Sequence, residues 1–151
     1  MDWAPAVSTA LGALIGVSAT LLADRAHWKR DTTERGQDAT RALFIGFLTA
    51  MSHARTQIWT ASISDDDANQ RARTARDALQ DHDVFTKLNE LVLCASPHTA
   101  DLALEAGRRL VDYRDAIVAA TRDDTDPEPS RSAYLVARGA LITVMREELG
   151  S

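Results

Sequence analysis

Leu43-Phe-Ile-Gly-Phe-Leu-Thr-Ala-Met-Ser-His-Ala-Arg-Thr-Gln-Ile-Trp-Thr-Ala61 is the run that decides the fold class. Its apolar residues Leu43, Phe44, Phe47, Leu48, Met51, Ala54, Ile58 and Ala61 recur every third or fourth position. They therefore share one face of a helix with 3.6 residues per turn, and that face must be covered by other elements. The spacing predicts an amphipathic helix through about Ser62.

Downstream, the same period continues. Ser64 followed by Asp65-Asp66-Asp67 predicts an N-cap with acids in a first turn, where the helix dipole favours negative charge. The next helix carries a small apolar face (Ala68, Ala72, Ala75, Leu79) and then a heavier one (Val84, Phe85, Leu88, Leu91, Val92, Ala95). Asp81-His82-Asp83 lies between them as a candidate break. Ser96-Pro97 predicts a cap followed by proline at the first helical position. The helix it opens is expected to pack through Ala100, Ala103, Leu104, Gly107, Leu110, Val111, Ile117 and Val118. Residues 123–130, Asp-Asp-Thr-Asp-Pro-Glu-Pro-Ser, predict a loop, because prolines and acids oppose both helix and strand. A last helix is expected from about Arg131, with Tyr134, Leu135, Leu141, Ile142, Met145 and Leu149 inward and Gly150 as its stop. No alternating run or Asn-Gly hairpin signal interrupts this pattern.

Upstream, the chain changes character. Residues 3 to 23 carry no charge, and a helix of that length, roughly 31 Å, matches the hydrocarbon core of a bilayer. Only Met1 and Asp2 precede the run, whereas Arg25, Lys29 and Arg30 follow it, the reverse of a secretory leader. Bases just after a single span favour a cytoplasmic flank, so the expected topology is N-terminus out and C-terminus in. Trp3 and Trp28 are separated by roughly 37 Å of helix and fit the two headgroup levels. Insertion is only modestly driven: Val7, Leu11, Leu14, Ile15, Val17, Leu21 and Leu22 contribute about −2 to −4 kcal/mol before polar residues subtract. Ser8, Gly12, Gly16 and Thr20 form a stripe of small residues along which a second helix can approach closely.

The expected fold is all-α, an N-terminal transmembrane helix followed by a cytoplasmic antiparallel bundle of about four helices. Its segments are an anchor at 1–24, a basic juxtamembrane stalk at 25–40, bent near Gly36, and a bundle domain at 41–151. The stalk's bases fit anionic lipid, while the formal net charge of −5 argues against general nucleic-acid binding. Arginine far outnumbers lysine, a bias of high-GC coding.

Candidate chemistry is sparse. Asp24-Arg25-Ala26-His27 has the spacing of a di-iron pair once, with Asp in place of Glu, and no second copy. In Asp81-His82-Asp83, neighbouring side chains on a helix point in different directions, so a helix junction explains them more simply than a metal. His53 and His98 stand alone in sequence, and the acidic loop lacks the glycine and final glutamate of a calcium loop. Arg71, Arg73, Arg76, Arg108 and Arg109 interleave with Asp77, Asp112 and Asp115, the pattern of an ion-paired helix surface. Cys94 is the only cysteine, which excludes an intramolecular disulfide and suits a reducing compartment. Its apolar neighbours predict a buried thiol. No catalytic residue, metal or cofactor is expected.

The pieces Trp3-Ala-Pro-Ala-Val, Gly12 to Gly16, Leu21-Leu-Ala-Asp-Arg25 and Trp28-Lys-Arg-Asp31 resemble the opening of uncharacterised single-span membrane proteins of high-GC actinobacteria. Leu110 to Ile117 and Met145 to Gly150 resemble the closing part of the same group. The resemblance implies a membrane-tethered helical protein and brings no catalytic residues with it. The functional expectation is therefore association, as an adaptor, a scaffold or an envelope-complex subunit, through lipid, a second copy or a partner transmembrane helix. Two alternatives compete with it: a membrane-active, holin-like or toxin-like protein, and a soluble bundle in which the N-terminal helix is buried.

Overall fold

The computed structural model describes residues 36–123 and 126–150, and every element among them is an α-helix. We number them α1 (residues 36–63), α2 (Ala68–Asp81), α3 (Val84–Cys94), α4 (Pro97–Asp123) and α5 (Glu128–Gly150). One compact unit comprises Ala39–Ser151. Within it α4 packs along α5 and also against α2 and α3. The all-α bundle is thus present. Residues 3 to 23, with Trp3, Ser8, Gly12, Gly16, Thr20, Arg25, Trp28, Lys29 and Arg30, lie outside the described residues. Among those described, no helix is long and apolar enough to cross a membrane.

The α1 face forms as its spacing requires. Phe44, Phe47, Met51, Ala54, Ile58 and Ala61 are all buried, and each large side chain among them contributes about 1.5–3 kcal/mol by leaving water. The helix already includes residues 36–40, so the polar segment after Gly36 continues α1 without a break. Opposite it, α2 buries Ala72, Ala75, Ala78 and Leu79. Small side chains let α2 approach its neighbours closely. The expected contribution of Ala68 is absent: it is exposed in the first turn.

The cap of α2 is Asp67 rather than Ser64. Its carboxylate accepts the amides of Asn69 (2.9 Å) and Gln70 (3.0 Å). Ser64 and Asp66 instead bond to each other in the link, because residues 64–67 are needed to turn the chain from α1 into α2. At the other end, Asp81-His82-Asp83 does separate two helices. Asp83 adopts φ 52 and ψ 30, a left-handed conformation that aspartate tolerates better than bulky residues. Its amide bonds to the Gln80 carbonyl (3.0 Å), and its own carbonyl accepts the amide of Lys87 (3.0 Å). The break raises the number of described bundle helices to five.

On α3 the buried residues are Val84, Leu88 and Leu91. With about 100° of turn per residue, Leu93 falls on the opposite side and is 84 % exposed. Cys94 falls roughly a quarter-turn away from the buried face and is also exposed. The expectation of a buried thiol is therefore wrong: the run is apolar, but a surface helix buries only one of its sides. The same geometry corrects Phe85, Leu104 and Leu135, which were expected inward and are exposed. Helices α3 and α4 approach closely where a Cβ on Gly107 would lie 3.2 Å from Leu88 Cδ2.

Helices α4 and α5 add Ala103, Ala106, Leu110, Tyr113, Ile117, Tyr134, Leu141 and Met145 to the common core. The break between these helices is shorter than residues 123–130. Helix α5 begins at Glu128, with Pro129 in its first turn, where a missing amide hydrogen costs nothing. Asp126 accepts the Glu128 amide (2.9 Å), and the Pro127 carbonyl accepts that of Arg131 (3.0 Å).

Candidate functional site

Three surface or interhelical features gather polar or apolar groups beyond what the fold alone requires. The first is an apolar groove between α3 and α4. Its floor is Leu88 and Gly107, and Phe85, Leu104 and Val111 form its sides. Phe85 and Leu104 are 49 % and 48 % exposed, so two large side chains face solvent across a groove that closes beneath them. Charge lines one edge: Glu105 accepts from Arg108 Nη2 (2.6 Å) and from Arg109 Nε (2.8 Å). The hydrogen bonds from Arg108 and then Arg109 hold the Glu105 carboxyl below its usual range. Arg109 also reaches Asp112 (3.5 Å), and Arg114 pairs with Asp115 (2.7 Å). These pairs realise part of the interleaved surface expected from the sequence. Being exposed, they set the character of the surface and add little to stability.

The second feature locks the start of α4 to the end of α5. Ser96 caps α4, accepting the Thr99 amide at 3.3 Å. Glu148, from the last turn of α5, accepts the Ser96 amide (3.2 Å), the Ser96 hydroxyl (2.8 Å) and the Thr99 hydroxyl. Thr99 is fully buried. Burial pushes the Glu148 carboxyl up, but the bonds from Thr99 and Ser96 outweigh it and leave the group below the usual carboxylate value. Ser96, Thr99 and Glu148 are thus joined across the two helix ends. Their junction fixes α4 and α5 as antiparallel neighbours, since the first turn of one meets the last turn of the other.

The third feature joins α1 to the junction of α2 and α3. Gln57 Nε2 donates to Asp81 Oδ2 (2.7 Å) and to the Thr74 carbonyl (3.3 Å). His53, one turn earlier on the same face of α1, meets His82 edge to face, with ring centroids 5.4 Å apart and planes at 65°. His53 is exposed and His82 half-buried. Among the described residues, neither imidazole is engaged in a hydrogen bond. His53, solitary in sequence, thus has a histidine neighbour in space, while His98 is exposed in the first turn of α4. The only signal for this pair in the sequence is the polar edge made by His53 and Gln57, four residues apart on α1.

Three buried side-chain polar atoms are unsatisfied among the described residues, Arg71 Nε and Arg131 Nε besides the Tyr134 hydroxyl. The Tyr134 hydroxyl has no hydrogen-bond partner among the described residues, and burial pushes its pKa up. No group of three or more His, Cys, Asp or Glu side chains able to hold a metal occurs among the described residues.

No protein-family model, curated protein or solved structure matches this chain. The functional reading accordingly rests on the chain's own residues.

Proposed function

We propose that the chain is a membrane-tethered helical protein that works by protein association, as an adaptor, scaffold or envelope-complex subunit, rather than by catalysis. In this reading residues 3 to 23 cross the bilayer once, with the N-terminus outside and the bundle in the cytoplasm. Trp3 and Trp28 mark the interfaces, Arg25, Lys29 and Arg30 meet anionic headgroups, and Ser8, Gly12, Gly16 and Thr20 face a neighbouring helix.

The observation that carries the association is the apolar groove. Phe85 and Leu104 remain half-exposed beside Leu88 and Val111. Aromatic and aliphatic side chains at the mouth of a groove are the usual anchors of protein contacts. A photo-crosslinking residue placed at position 85 in membranes should give a discrete protein adduct that Leu104→Glu abolishes. The same residue at position 73, on the exposed side of α2, should give none. Equal labelling from both positions would remove the groove from the proposal. Release of the full chain by carbonate washing would remove the tether.

A further inference from the structure

We propose that His53 and His82 form a two-histidine site for a borderline divalent transition-metal ion of the zinc or copper class. A Zn–N bond of about 2.0–2.1 Å, extended to the ring centre, puts each imidazole centroid roughly 3.2 Å from the ion, so two rings at a tetrahedral angle have centroids about 5.2 Å apart. The observed separation is 5.4 Å. That is also an ordinary edge-to-face separation; the spacing permits a shared ion, and the exposed His53 must turn about its broad χ2 to aim a nitrogen at it.

Chemistry and position agree with the spacing. Imidazole is a ligand for zinc, copper and nickel, not for the hard cations that prefer oxygen. Both rings have nitrogens free of hydrogen bonds to described residues. Asp81 lies next to His82 in sequence, but its carboxylate already accepts from Gln57 at 2.7 Å. No third His, Cys, Asp or Glu completes the set among the described residues, so the two imidazoles are the protein ligands of a site with fewer than the three or four of usual zinc centres, and a bound ion exchanges readily. Its ligands come from two separate elements. Binding consequently cross-links α1 to the α2–α3 junction and stabilises the bundle as the ion concentration rises.

The test uses the tag-free full chain, cleared of metal by chelator and titrated with Zn²⁺ while the imidazole nitrogens are followed by NMR. The His53 and His82 signals should move together and saturate at one ion per chain, with His98 unmoved. His53→Ala and His82→Ala should each weaken binding roughly tenfold or more, while His98→Ala leaves it unchanged. With Cu²⁺, pulsed EPR should count two coordinated imidazoles. His53→Gln on the exposed face of α1 keeps the test usable if His82→Ala misfolds. Equal affinity in the wild type and the histidine variants, or coordination through one imidazole alone, would overturn the site and leave the pair as an edge-to-face contact.

Discussion

Glu148 and the His53–His82 pair are both polar meetings between helices, yet they differ in how fully their groups are engaged. Around Glu148, two hydroxyls and an amide converge on one carboxylate, and the participating Thr99 is fully buried. Around His53, two rings meet near the surface, beside a carboxamide that already serves a different carboxylate. A cluster engaged in this way fixes the geometry of two helix ends. An open pair contributes less to stability but keeps its nitrogens available.

That contrast breaks first at Glu148. Glu148→Ala removes the acceptor from a buried hydroxyl and from a helix N-terminus, and should cost about 2–3 kcal/mol in urea unfolding. A loss below about 0.5 kcal/mol would place the cluster among ordinary surface contacts. The same group has a pH signature. Its folded carboxyl lies below the usual 4.5, so its stabilisation is complete above that value and is lost as pH falls through the lower, folded value. Thermal unfolding of Glu148→Gln should therefore be flatter with pH across this acid range than that of the wild type.

Tyr134 supplies the opposite case, a buried polar atom without a partner. Tyr134→Phe keeps the ring and should raise stability by about 1 kcal/mol; a loss of similar size would reveal a partner for the hydroxyl. On the open side, Gln57→Ala should cost about 0.5–1 kcal/mol, since its two bonds are neutral or exposed. It should also change the imidazole resonances of His82, which Gln57 holds near α1 through Asp81 and Thr74. The smallest effect is expected at the joint itself. Asp83→Gly should be neutral or stabilising by about 0.5 kcal/mol, because glycine adopts a positive φ without steric cost. Asp83→Val should lower the unfolding midpoint.

The sequence made the helices legible where periodicity and local chemistry agree. Phe44, Phe47, Met51 and Ile58 declare the buried side of α1, and Ser96-Pro97 declares the start of α4, because both signals lie within a few residues. It misled where a run was apolar without being one-sided. Leu91 to Ala95 contains both the inward Leu91 and the outward Leu93 and Cys94, and only the phase of α3 against α4 separates them. The proline-rich link misled for a related reason: Pro129 opposes a helix interior but is harmless in a first turn. Interhelical clusters were not legible. Whether His53 meets His82, or Ser96 meets Glu148, depends on the register between elements, which no local pattern encodes.

The bond from Ser96 to Glu148 joins residues 52 apart in the chain. At ribosomal rates of about 5–20 residues per second, that interval takes roughly 3–10 s to synthesise. During it the first turn of α4 has its own serine cap but not the carboxylate it bonds to, and the common core lacks Tyr134, Leu141 and Met145 of α5. Final assembly of this bundle is consequently a late event in synthesis, set by the emergence of the helix that carries Glu148.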